Sequence, residues 1–282
     1  MALELIDAVS APGHPTRPND DAYCHAGAVA AVFDGATGLG ESLLPGGSDA
    51  AWLARRAAAR LAAHAPRLGA WAALRATALD VERTYERERS RPPAERYEIP
   101  VASMMMVEAR VGVGLEAFWF GDCAALVLRP GEACEVIGDV FGKRLAEAGA
   151  ATRLAAAHGI DPARASVDAA FLPALRAARS TYNTEGGAWI FGPTRHCAEK
   201  ATRGSVRAPS GALVLLASDG FLALGTDYGR YDATALVAEA HERGLADLLD
   251  ELRAVERDDP EGVRYPRFKT SDDATAVILR VI

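Results

Sequence analysis

Apolar residues along the chain fall into short, nearly continuous runs and into long alanine-rich stretches broken at helical spacing. The short runs, Leu3–Val9, Ala26–Phe33, Val101–Arg110, Val113–Gly121, Cys123–Leu128, Cys134–Ile137, Leu213–Ala217 and Thr275–Val281, are bounded by glycine, proline or acidic residues and predict strands. Glycine and proline punctuation at Gly112, Gly114 and Pro130-Gly131 sets the middle group close together, which predicts antiparallel hairpins in a meander. After a glycine-rich link, Gly38–Gly47, Ser48 is placed to cap a helix over DAAWLARRAAARLAAHA that Pro66 should stop. A second helix is expected over about Leu68–Arg89, where the charge-striped end ERTYERERSR marks a solvated face. Another pair follows at about Ala233–Glu242 and Leu245–Glu256, divided by Gly244.

Between these groups, Asp139–Arg179 mixes helical signals with breaks at Gly149, Gly159, Pro162 and Pro173, and reads as helices with an irregular flap. Thr181–Trp189 reads as a loop, and Pro193–Ala201 as a short helix starting near Thr194. No repeat or linker divides the chain. A single domain over residues 1–282 is expected, with a helical or flap insertion over about 139–200. The order of elements lacks strand-helix alternation, and no GxGxxG or phosphate-binding loop is present.

Composition narrows the function classes. Half of the 282 residues are hydrophobic and 24% are charged, which provides ample apolar surface for a core. A net charge of −7 argues against a broad nucleic-acid-binding face. The four cysteines, Cys24, Cys123, Cys134 and Cys197, form no CxxC pair, so free buried thiols are expected rather than disulfides or structural zinc. The start of the chain lacks a basic segment followed by a long apolar one, and no stretch approaches the length of a membrane span. A cytoplasmic protein without membrane or nucleic-acid partners is the expectation.

Chemistry enters where apolar runs meet acids. AAVFDGATGLG delivers Asp34 to the end of a strand with Gly35 behind it, LVLLASDG ends in Asp219-Gly220, and SDDATAVILRVI opens with Asp272 and Asp273. Carboxylates at buried strand ends repel one another unless a positive charge lies among them, and a divalent cation satisfies several at once. Arg17 precedes Asn19-Asp20-Asp21, a further acidic turn. Arg264, Arg267 and Lys269 form a small basic cluster, read either as a solvated loop or as a feature attracting phosphorylated segments.

The ordered set Asn19-Asp20-Asp21, Val32-Phe33-Asp34-Gly35, Phe120-Gly121-Asp122-Cys123, Leu216-Ala217-Ser218-Asp219-Gly220 and Asp272-Asp273-Ala274-Thr275 resembles the signature of the metal-dependent PP2C-type (PPM) serine/threonine phosphatases across nearly the whole chain. That resemblance implies an α+β fold, a four-layer αββα sandwich of two antiparallel sheets flanked by helix pairs. It implies two ions of Mg²⁺ or Mn²⁺, with Asp34 bridging them, the Gly35 carbonyl on one, and Asp219 and Asp272 on the other. Asp122 corresponds to a ligand of a third, weaker ion, while Asp20 and Asp21 would order metal-bound water. Hard cations suit such an all-oxygen set. In this scheme two ions about 3.5–4 Å apart make hydroxide available to attack phosphorus directly. Arg17 would grip the phosphate through paired hydrogen bonds. The partner implied is a phosphorylated protein and the expected state a monomer. The chain departs from the family pattern in four places: Arg17 is one residue nearer the acidic turn than usual, Ala36 replaces a histidine, Asp20 a glutamate and Ala124 an arginine. Two other functions stay open, a catalytically impaired binding protein on the same scaffold and a hydrolase of small phosphate esters.

Overall fold

The computed structural model describes residues 1–138, 140, 172–265, 267 and 269–282. One antiparallel sheet runs, edge to edge, β1 (Leu3–Ala11), β10 (Ala274–Val281), β9 (Leu213–Ala217), β6 (Ala124–Leu128) and β7 (Glu135–Ile137). The other runs β2 (Asp21–Ala26), β3 (Val29–Gly35), β4 (Ala102–Arg110), β5 (Gly114–Phe120) and β8 (Thr202–Val206). Strand alternation divides each central strand between two cores. Ala30 and Val32 of β3, with Met105 and Val107 of β4, meet Val214, Leu216, Val277 and Leu279 of the first sheet in the inner core. Their neighbours Ala31, Phe33, Met104 and Met106 face the opposite way, against helix residues Leu53, Leu61, Leu74 and Val81. Burial on both faces is why these strands read as unbroken apolar runs.

The helix against that outer face, α1 (Asp49–Glu88), is two arms joined at Gly69, whose φ of 71° and ψ of 171° leave the helical region. The arms turn back on each other: Trp52 Nε1 donates to Glu88 at 2.9 Å, and His64 Nε2 lies 2.8 Å from Asp80. Helix thus runs on through Pro66, contrary to the sequence expectation, and the break comes at the glycine that alone tolerates a positive φ. Ser48 caps α1 as expected, its Oγ accepting from Ala51 N at 3.2 Å.

α2 (Leu172–Ser180) is the part of the expected flap that is described; residues 139 and 141–171 lie outside the described residues. It fastens the loop after β3, with Arg176 donating to the Leu39 carbonyl at 2.8 Å and Arg179 to that of Thr37 at 3.1 Å. A 3₁₀ turn over Arg195–Lys200, beginning after Thr194, takes the place of the short helix. On the far side, α3 (Asp219–Thr226), α4 (Ala233–Glu242) and α5 (Leu245–Asp258) bury Phe221, Leu236, Leu248 and Leu252 against Ala124, Leu126, Leu215, Ala276 and Ile278. Each fully buried side chain of this size contributes about 1.5–3 kcal/mol. The layers are therefore helix, sheet, sheet, helix, as the resemblance implies.

Three further differences from the sequence reading bear on the site. The Ala26–Phe33 run is part of a hairpin, with Gly27 at φ 66° turning β2 into β3. The expected meander is two hairpins in different sheets, because the chain crosses between layers at Gly121, φ 69°. Asp219 is the first residue of α3, two past Ala217 at the end of β9, with Ser218 as the cap between them. Of the cysteines, Cys24, Cys123 and Cys197 are buried free thiols as expected, whereas Cys134 is only half-buried.

Candidate active site

The sheet ends and crossings meet at one end of the sandwich. Asp21 stands directly across from Asp34 in the β2-β3 ladder, and Asp34 across from Ser103 in the β3-β4 ladder. Ser103 Oγ donates to Asp122 Oδ1 at 2.6 Å, so the crossing after β5 hangs from the same row. A Cβ on Gly121 would lie 2.7 Å from Ser103 Cβ, so only glycine brings Asp122 this close. Gly220 packs equally tightly, since its Cβ would run into the Asp273 carbonyl and come within 3.3 Å of Asp272 Cβ; this sets the start of α3 against the strand that follows Asp272. Gly35 fits between Asp20 and α1, where a Cβ would lie 2.9 Å from the Ala50 carbonyl oxygen.

Hydroxyls and amides lock the acids in place. The buried Ser218 Oγ donates to Asp21 Oδ2 at 2.8 Å and accepts from Thr275 N at 3.0 Å, joining β2 to β9 and β10. Asp273 accepts from Gly13 N at 2.7 Å and from Asp20 N at 2.6 Å, which seats the acidic turn. Ser48 caps α1 and also donates to Asp20 Oδ1. None of Ser48, Ser103, Ser218 and Lys269 stood out in the sequence as a site residue. Serines that act through another side chain leave no spacing signal, although the basic cluster containing Lys269 was visible. The cluster itself divides: Arg267 is taken up in a 3.0 Å pair with Asp259, and Lys269 alone reaches the acids, 2.7 Å from Asp272 Oδ1.

The crowding of carboxylates dominates the electrostatics. Burial holds the Asp34 carboxyl far above the ordinary carboxylate range, and the negative charges of Asp21, Asp219, Asp122 and Asp272 add to this. Burial likewise raises Asp21 from 3.8 to about 8, against the pull of the Ser218 hydrogen bond and with Asp273 and Asp219 adding to the rise. Asp20 is raised too, by burial first and by Asp273, while Ser48 and Lys269 oppose the shift. Enclosure of the Lys269 ammonium among the acids works against its charge, although nearly half of the side chain is exposed, and Asp272, with Asp34 and Asp219 behind it, holds the group above the ordinary lysine value. Cys123 beneath the cluster has its thiol pushed well up by burial and the same acids, so it is an inert packing residue.

The acids open into a cleft of about 370 Å³. Asp20, Asp272 and Asp273 line it beside His14, Arg17 and Lys269, and Arg179 of α2 borders it on the loop side. Every acid singled out from the sequence, Asp20, Asp21, Asp34, Asp122, Asp219 and Asp272, therefore belongs to one constellation with Gly35 beside it. Arg17 stands in the cleft wall, on an exposed turn tied by its amide to the His14 carbonyl at 3.2 Å.

Among the described residues no three His, Cys, Asp or Glu side chains already form a metal-holding group. The donor set nevertheless fits a hard cation. Asp21 is 3% exposed and its Oδ1 has no hydrogen-bond partner among the described residues, and such an orphaned buried oxygen among mutually repelling carboxylates is satisfied by a cation or by water that a cation holds.

No family model and no curated protein matches the sequence. Solved structures do. The serine/threonine phosphatase PstP/Ppp of Mycobacterium tuberculosis is 18% identical, with 100% of this chain and 99% of that one aligned at a TM-score of 0.58. The PPM Ser-Thr phosphatase MsPP of Mycobacterium smegmatis, in complex with cacodylate, is also 18% identical, with 99% and 100% aligned at 0.57. The catalytic domain of PstP in complex with two manganese ions is 19% identical, with 100% and 99% aligned at 0.54. The likeness extends over the whole of the chain and over both sheets, and the chain has the fold of the PPM serine/threonine phosphatases.

Proposed function

We propose that this protein is a divalent-metal-dependent phosphomonoesterase acting on phosphoserine or phosphothreonine in proteins. The observation that carries the reading is the convergence of Asp21, Asp34, Asp219 and Asp272, from four separate places in the chain, beneath an open cleft. Asp34, with the Gly35 carbonyl, Asp219 and Asp272 would hold two ions of Mg²⁺ or Mn²⁺, and Asp122 a third. When bound, such ions supply Lewis acidity toward a phosphate ester and toward water.

The remaining work falls to the chain's own groups. Arg17, in the cleft wall, presents a planar guanidinium suited to two oxygens of a phosphate monoester. Asp20, in the cleft, and the buried Asp21 would accept hydrogen bonds from metal-held water, and Ser48 and Ser218 fix their orientation. Ala36 occupies the cleft wall where the family pattern has a histidine, so the proton for a departing serine or threonine oxygen would come from His14, the imidazole among the described lining residues, or from metal-held water. Among the described residues no helix is long and apolar enough to cross a membrane.

Hydrolysis of p-nitrophenyl phosphate with Mn²⁺, followed by phosphoserine and phosphothreonine peptides, tests the reading. Asp34→Asn and Asp219→Asn should each lower kcat by about 10³-fold or more, the scale on which removing a group used in the transition state acts. Equal turnover in excess EDTA would refute metal dependence. A preference for small phosphate esters over every phosphopeptide would move the substrate class instead.

A further inference from the structure

Among the described residues, Lys269 is the cation that reaches into the acid cluster. Lys269 Nζ lies 2.7 Å from Asp272 Oδ1 and 3.3 Å from Thr37 Oγ1, so the ammonium bridges the loop before β10 and the loop after β3. It stands on the same side as Asp34 and Asp219, whose negative charges reach it. The Asp272 oxygen that receives Lys269 also accepts from Asp273 N at 3.0 Å. That oxygen therefore already has two donors, and a metal ion on the Asp272 carboxylate brings two positive charges against the one that is itself a cation. The amide is fixed by the backbone, whereas the lysine is a flexible arm with 46% of its side chain exposed. Lys269 is the partner that can leave.

We propose that Lys269 is a tethered cation that competes with divalent metal for Asp272: it neutralises the cluster when metal is absent and is expelled toward the cleft when metal binds. The inference rests on the metal reading above. It follows from two properties of an ammonium among carboxylates. A single positive charge relieves part of the repulsion among Asp34, Asp219 and Asp272, so the empty cluster stays folded. A doubly charged ion relieves more, and it repels an ammonium held 2.7 Å from the same carboxylate. Once expelled, Nζ remains within reach of the cleft that Lys269 lines, where its charge faces an incoming anion. Metal loading and anion capture are then coupled through one side chain, and the cost of expulsion raises the metal concentration at which the site fills.

The test compares the wild-type chain with Lys269→Gln and Lys269→Arg by calorimetric titration with Mn²⁺ and by thermal melting in EDTA. Loss of a charge-assisted hydrogen bond to a competing group should tighten Mn²⁺ binding in Lys269→Gln by about tenfold. The same variant should melt below wild type in EDTA and recover when Mn²⁺ is added. Lys269→Arg, which keeps the charge, should retain wild-type affinity to within about threefold. An unchanged or weaker Mn²⁺ Kd in Lys269→Gln, measured where wild type binds Mn²⁺ normally, would overturn the inference while leaving the metal reading intact. Absence of Mn²⁺ binding by all three proteins would overturn both. Neither readout requires turnover.

Discussion

Asp21→Asn isolates the electrostatic stress in the site. Asp21 is 3% exposed, its Oδ1 has no partner among the described residues, and burial raises its pKa from 3.8 to about 8. An acid whose folded-state pKa is raised binds its proton more tightly in the folded than in the unfolded chain. Stability contributed by that proton is complete below about 3.8 and is lost as pH climbs to about 8. At 1.36 kcal/mol per unit, the loss across this window has a ceiling of about 6 kcal/mol, lowered to the extent that Asp34, Asp219 and Asp273 share the proton. With an unfolding entropy of about 2.1 cal/mol/K per residue, the ceiling corresponds to a fall in Tm of about 10 °C. The assay is a series of melts in EDTA from pH 4 to 8.5. Wild type should lose Tm steadily toward pH 8, while Asp21→Asn, which keeps an oxygen for Ser218 and carries no charge, should be flatter and the more stable protein at the alkaline end. Saturating Mn²⁺ should remove most of the wild-type slope, because an ion takes over the role of the proton. Parallel profiles for the two proteins in EDTA would refute the claim that Asp21 is a stressed, uncompensated acid.

Two further substitutions probe how the acids are held. Ser218→Ala removes the hydroxyl shared by Asp21 Oδ2 and Thr275 N, leaving a buried acceptor and a buried donor unpaired; chemical denaturation should show a loss of about 2–4 kcal/mol, and a loss below about 0.5 kcal/mol would contradict this bridge. Gly121→Ala forces a Cβ onto Ser103 at a φ of 69°, so urea denaturation should show about 2–4 kcal/mol of destabilisation, with Asp122 displaced from Ser103; a variant as stable as wild type would show that the crossing is not tight.

Much of this architecture was legible in the chain because its signals are local. The β4 and β5 runs lie within a residue or two of their sequence-read limits, as do α4, α5 and β10, since apolar runs, glycine turns and caps act over a few neighbours. Where a local rule met tertiary packing, packing won. Pro66 should end a helix, yet α1 continues to Gly69 because the buried arms of the helix favour carrying the turn to the residue that can adopt a positive φ. β2 and β8 were not separated from their surroundings, because their exposed and half-buried residues dilute the apolar signal.

The division is the same at the site. By itself the sequence determined the donor types and their order: Asp20, Asp21, Asp34, Asp122, Asp219 and Asp272 are acids at the ends of apolar runs or in glycine turns, recognisable wherever the chain carries them. Only the tertiary structure decided that they share one space, that Ser218 and Ser103 tie them together, and that Lys269 rather than Arg267 faces them. Those facts depend on contacts between residues far apart in the chain, 260 positions for Gly13 and Asp273 and 253 for Asp20 and Asp273, and no periodicity encodes such a distance. Burial also belongs to the packed state alone, and it is burial that turns ordinary aspartates into acids in need of a cation.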